Sequence, residues 1–132
     1  MPYLFSYGTL QPGLVPPELA PLMARIPVIA RGSARGTLYD LGGYPGAVLD
    51  PHAETIIHGV IYNLPGDPAL LAQLDEYEEF DPDSPGESLF RRILHPVTMA
   101  NNGALPCWIY VYNRTPADAP VIPGGKYTAN KR

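Results

Sequence analysis

Leu4-Phe5-Ser6-Tyr7-Gly8-Thr9-Leu10-Gln11-Pro12-Gly13 decides how the rest of this 132-residue chain is read. From Tyr3 to Tyr7 the run is apolar or aromatic on both faces of a period-two element, which predicts a strand covered on two sides. Gly8 then breaks the strand into a tight loop. Because Gly8 lacks a side chain, the peptide groups around it can turn sharply and lie open to a small anion, with the hydroxyls of Tyr7 and Thr9 on either side. Taken alone, Tyr-Gly-Thr is more often a plain turn at the end of a strand.

Working outward, the remaining residues exclude several classes. A chain of this length predicts one domain, residues 1–132. A net charge of -4 and a pI near 5.2 leave no basic face for phosphates, so no nucleic-acid partner is expected. The single cysteine, Cys107, excludes an internal disulfide framework and points to a reducing compartment, the cytoplasm. No basic leader precedes a long apolar run and no apolar stretch reaches spanning length, so no membrane association is expected. His52, His58 and His95 are scattered, which predicts no metal. Neither a Walker nor a dinucleotide glycine motif occurs, so no cofactor is expected. Cys107 reads as a small buried hydrophobe, and no Gly-x-Ser-x-Gly elbow is present.

Between these limits the elements can be placed. Pro16 to Ala24 is a short helix at best, because Pro21 removes an amide donor in its middle. Ile26 to Leu41 reads as two strand pieces hinged near Gly32, followed by the turn Leu41-Gly42-Gly43-Tyr44-Pro45-Gly46 and a strand at Ala47 to Asp50. Thr55 to Leu64 is a β-branched strand whose interior Gly59 marks a bulge or the close approach of another backbone. Asp67 caps a helix over Pro68 to Tyr77. Leu70, Leu71, Leu74 and Tyr77 form its apolar face, and the next position on that face is Glu78. A carboxylate therefore sits where a core residue belongs, unless the helix has already ended. Asp75, Glu76 and Glu79 fall mainly off that face and read as solvated charges. Phe90 to Thr98 and Leu105 to Tyr112 are strands joined by Asn101-Asn102-Gly103. Arg91 and Arg92 point to opposite faces, so that one can meet a carboxylate while the other stays solvated.

Phe5-Ser6-Tyr7-Gly8-Thr9-Leu10, lying within the first ten residues, resembles the signature of the gamma-glutamylcyclotransferase-like superfamily, which includes the gamma-glutamylamine cyclotransferases and the AIG2-like proteins. Tyr44-Pro45, the Gly59 strand, Leu74-Asp75-Glu76-Tyr77-Glu78, Tyr110 and the closing Pro123 to Tyr127 segment resemble the family's further motifs. The resemblance implies an α+β fold, a small mixed β-barrel-like sheet with one or two short helices. It implies that Tyr7, Gly8, Thr9 and Leu10 bind the α-carboxylate side of a γ-glutamyl small molecule through backbone amides, with Tyr44, Pro45 and Tyr110 beside it. It further implies that Glu78 is the catalytic acid/base of a cyclotransferase releasing 5-oxoproline, in a monomer or homodimer. Glu79 and Phe90 depart from the glycine and tyrosine common in relatives, and the acidic, proline-rich Phe80 to Ser88 segment stands between them. These departures keep two alternatives open: a γ-glutamylated biosynthetic intermediate as substrate, or a non-catalytic AIG2-like binding module.

Overall fold

A computed structural model describes residues 3–128. Six strands, β1 (Tyr3–Ser6), β2 (Val28–Asp40), β3 (Pro45–Leu49), β4 (Ile56–Asn63), β5 (Phe90–Met99) and β6 (Ala104–Tyr112), form one sheet in the order β3-β2-β4-β1-β6-β5. Pairing of Gly32 with Met99 and Ser33 with Thr98 joins β5 back to β2. Five strands thus close into a barrel, with β3 as an extra strand hydrogen-bonded to the far half of β2. All neighbours run antiparallel except β1 and β6, which are parallel.

The barrel is filled by side chains from each of its five strands, among them Phe5, Ala34, Ile57, Ile61, Val97, Cys107 and Ile109. A second cluster lies outside it, where Leu4, Tyr62, Phe90 and Tyr110 meet Leu22 and Met23 of α1 (Ala20–Met23) and Leu70 and Leu74 of α2 (Pro68–Tyr77). Strand β1 therefore supplies Phe5 to one cluster and Leu4 to the other, as expected of a strand covered on both sides.

Helix α2 spans the predicted residues, and the Asp67 side chain accepts from the Ala69 amide at 3.0 Å, as a capping residue should. At Gly59 a Cβ would lie 2.2 Å from the Ser6 carbonyl oxygen, so the glycine marks a close backbone approach. Two expectations are corrected. Gly32 is not a hinge between strand pieces: β2 is continuous, and Gly32 is small because a Cβ there would lie 2.7 Å from Val97 Cγ1 on the neighbouring strand β5. Pro21 does not interrupt a helix either, since a 3-10 turn over Pro17–Leu19 precedes α1 and Pro21 falls in the first turn of α1, where its missing donor costs little.

Candidate functional site

The loop after β1 is held by its carbonyl groups. Gln11 Nε2 lies 3.0 Å from the Tyr7 carbonyl oxygen and 3.1 Å from that of Gly8, and the Tyr62 hydroxyl donates to the Leu10 carbonyl at 2.6 Å. Thr9 Oγ1 and the Tyr77 hydroxyl are 2.7 Å apart, which ties the loop to the end of α2. By contrast, the amides of Gly8, Thr9 and Leu10 meet no backbone or side-chain acceptor among the described residues. Three consecutive N–H groups are thus left without a partner among the described residues while the carbonyls of Tyr7, Gly8 and Leu10 are anchored, an arrangement suited to an anion. Gly8 has no left-handed φ. It is glycine for lack of space, because a Cβ would come 2.9 Å from Pro45 Cγ.

Helix α2 ends beside this loop. Glu78 is its C-cap, with its amide on the Leu74 carbonyl, and Glu79 follows at φ 57. The Glu79 amide donates to Glu76 and the Phe80 amide to Asp75, the paired bonds of a Schellman motif with a glutamate in its left-handed position. Glu78 is half-buried. Burial pushes its carboxyl from the ordinary 4.5 up to about 8, and the neighbouring Glu79 charge adds to the rise.

A cavity of about 420 Å³ joins these parts, lined by Tyr7, Gly8, Thr9, Leu10, Tyr44, Pro45, Glu78 and Tyr110 together with Tyr77, Glu79 and Phe90. Every site residue singled out in the sequence therefore borders one space. Their side chains are used differently from expectation, however. The Tyr7 hydroxyl donates to the Tyr110 carbonyl and accepts from the Ala47 amide, so it ties the end of β1 to β3 and β6 and is engaged internally. Burial drives its pKa far above the tyrosine range. The Thr9 hydroxyl is likewise engaged, by Tyr77. The Tyr110 hydroxyl points to Asp75 Oδ1 at 2.6 Å, leaving its ring at the cavity. Tyr44 stands at the mouth, 37% exposed, with its ring tilted on Phe90 at 6.1 Å between centroids.

Asp75 is another correction. Far from being solvated, it is 6% exposed and takes a two-point contact from Arg92, Nε to Oδ1 at 2.8 Å and Nη2 to Oδ2 at 3.2 Å. The Arg92 guanidinium lies 4.5 Å from the Trp108 ring centroid. Arg91, on the opposite face, is exposed, as the strand alternation predicts. Sequence reasoning missed Tyr77 as a lining residue, and Asp75, Gln11 and Tyr62 as the groups that hold lining residues in place. The one usable signal was that Asp75 follows Leu71 by four residues and so flanks the buried face. Phe80 to Ser88 does not border the cavity at all. It is fastened to the end of β6 by Asn113 and Arg114, which donate to carbonyls of Pro85, Glu87 and Ser88.

Comparison with known proteins decides the family. Residues 4–129 match the model of gamma-glutamyl cyclotransferase, AIG2-like proteins. The chain belongs to that family. An AIG2-like protein from Mus musculus superposes with a TM-score of 0.76 at 21% identity, over 99% of this chain and 90% of its own. Protein ytfP from Escherichia coli gives 0.65 at 26% identity over 96% of each chain. YkqA from Bacillus subtilis gives 0.70 at 23% identity over 96% of this chain and 39% of its own, so this chain spans well under half of YkqA. No curated protein matches. The α+β barrel is thus the fold of the gamma-glutamyl cyclotransferase, AIG2-like family. No helix among the described residues is long and apolar enough to cross a membrane.

Proposed function

We propose that this family member is a cyclotransferase that converts a γ-glutamyl amine or amino acid into 5-oxoproline and the free amine. The observation that carries the reading is the meeting, on one cavity, of three loop amides without a partner among the described residues and a high-pKa glutamate. The amides of Gly8, Thr9 and Leu10 would hold the α-carboxylate, and the walls formed by Tyr44, Pro45 and Tyr110 would orient the chain. The substrate α-nitrogen attacks its own γ-carbonyl carbon, forming the lactam C–N bond as the amide C–N bond to the leaving amine breaks. Two protons leave the α-ammonium and two arrive on the departing nitrogen, both by way of the Glu78 carboxylate, which ends as it began. Nothing is oxidised and no water is consumed.

Because the nucleophile and electrophile belong to one molecule, the protein need only hold a near-attack arrangement and move protons. A carboxyl with a pKa of about 8 is matched to an ammonium more closely than an ordinary glutamate would be. The test is 5-oxoproline release across a panel of γ-glutamyl amines, amino acids and conjugates, together with a crystal soaked in 5-oxoproline. Turnover, with the carboxylate lodged against the three amides, is expected. Binding of γ-glutamyl compounds without product would favour the non-catalytic module, and density elsewhere would remove the loop from the site.

A further inference from the structure

We propose that Glu79 sets the leaving-group preference of this cavity, favouring γ-glutamyl amides whose departing amine bears a second positive charge and rejecting those that bear a carboxylate. The inference rests on the cyclotransferase reading above. Three independent features converge on Glu79. Its backbone is left-handed, a conformation that costs a residue with a side chain about 1–2 kcal/mol and costs glycine nothing comparable. Strain of this kind at the edge of a cavity points to use of the side chain. Glu79 is exposed, borders both this cavity and a second pocket beside it, and has no cationic partner among the described residues, whose ion pairs are Arg25 with Asp67 and Arg92 with Asp75. Finally, no lysine, arginine or histidine among the described residues lines the cavity.

The direction of the leaving group follows from exposure. Leu4, Phe5, Leu10 and Tyr110 are buried at the inner end, whereas Tyr44 and Glu79 are exposed at the mouth. With the glutamyl head on the loop amides and Glu78, the departing amine lies toward that mouth. There it meets Glu79, unpaired among the described residues, beside the Tyr44 ring; a carboxylate attracts a cation and repels a carboxylate. Glu79 directly follows Glu78, and its charge adds to the rise of the Glu78 carboxyl.

The experiment uses three γ-glutamyl amides with one common alkyl chain, ending in an ammonium, a methyl or a carboxylate. For the wild type, kcat/KM for the ammonium compound should exceed that for the methyl compound by about three- to fivefold, the range of an exposed ion pair. Glu79→Gln should bring that ratio to about one, Glu79→Lys should reverse the order in favour of the carboxylate, and Glu76→Gln should leave it as in the wild type. Ratios within one variant cancel any change in Glu78 itself. If the wild type and Glu79→Gln share the same ratios, the assignment is overturned. If the wild type releases no 5-oxoproline from any of the three, the cyclotransferase reading fails instead. Calorimetric affinities for the same compounds then still decide the role of Glu79: the order ammonium, methyl, carboxylate, lost in Glu79→Gln, supports it, and equal affinities overturn it.

Discussion

Replacing Glu78 by glutamine should leave a better folded and nearly inactive protein at alkaline pH. The carboxyl pKa is raised by folding from 4.5 to about 8, so across that window the native state holds a proton that the unfolded chain has released, and stability falls as pH rises. Fully expressed, the shift corresponds to roughly 5 kcal/mol at about 1.4 kcal/mol for each tenfold. Glu78 is only half-buried and opens on the cavity, where water relaxes the ion, so about 2 kcal/mol is the working figure. For a chain of this size that is roughly 6 °C in Tm. Glu78→Gln should therefore melt with the wild type near about pH 4 and about 6 °C above it near about pH 9. Turnover should fall about 10²- to 10⁴-fold, because an amide cannot accept the proton of the nucleophile. In the wild type, kcat/KM should rise with pH as Glu78 ionises, through about 8. Thermal melts across that range, paired with a 5-oxoproline assay, measure both effects. Near-wild-type turnover in Glu78→Gln would remove Glu78 from the chemistry. A lower melting temperature than the wild type at alkaline pH would show that the carboxylate has a native partner and that the burial argument is mistaken.

Glu79→Gly should stabilise the protein by about 0.5–1 kcal/mol in urea unfolding, since relief of the left-handed strain outweighs the added freedom of the unfolded chain; a net loss would show that the side chain holds the turn. Asp75→Asn should cost about 3–5 kcal/mol by leaving the enclosed Arg92 guanidinium unpaired, and the double variant with Arg92→Met should recover much of it. A cost under about 1 kcal/mol would mean that water already screens the pair. Gly59→Ala should lower the urea midpoint sharply or prevent soluble expression, because the added carbon meets the Ser6 carbonyl, which belongs to backbone and cannot swing aside; a wild-type melting curve would contradict the register of β1 on β4.

Features with local causes were legible in the sequence. Asp67 followed by Pro68 and the spacing of Leu70, Leu71 and Leu74 set the limits of α2 because a cap and an apolar stripe are written within one helix. Barrel closure was not legible from pattern. It depends on Gly32 and Ser33 meeting Met99 and Thr98 across about half the chain, and Gly32 looks like a hinge until Val97 is seen beside it. The same limit explains Asp75. Whether a carboxylate is solvated or enclosed is decided by Arg92 on another element, so an acidic run on a helix reads as surface until that strand is in place. The site residues were gathered by resemblance, but the direction of their polar groups was not, since the hydroxyls of Tyr7 and Tyr110 find internal partners whose positions only the fold supplies.

The fixed carbonyls and free amides of the Gly8 to Leu10 loop have a consequence for how this protein varies. An anion held by main-chain N–H groups is recognised by atoms that every residue except proline carries. Alanine scanning of the loop would therefore read as tolerance at Leu10 and Thr9 apart from packing losses, even if the loop were indispensable. A proline at Thr9 or Leu10 removes one donor while leaving the charge pattern untouched, and is the substitution to which such a site is vulnerable. Chains that keep Gly8, the neighbouring proline ring and the Gln11 and Tyr62 anchors can vary the polar character of the residue at Thr9 and still present the same three donors.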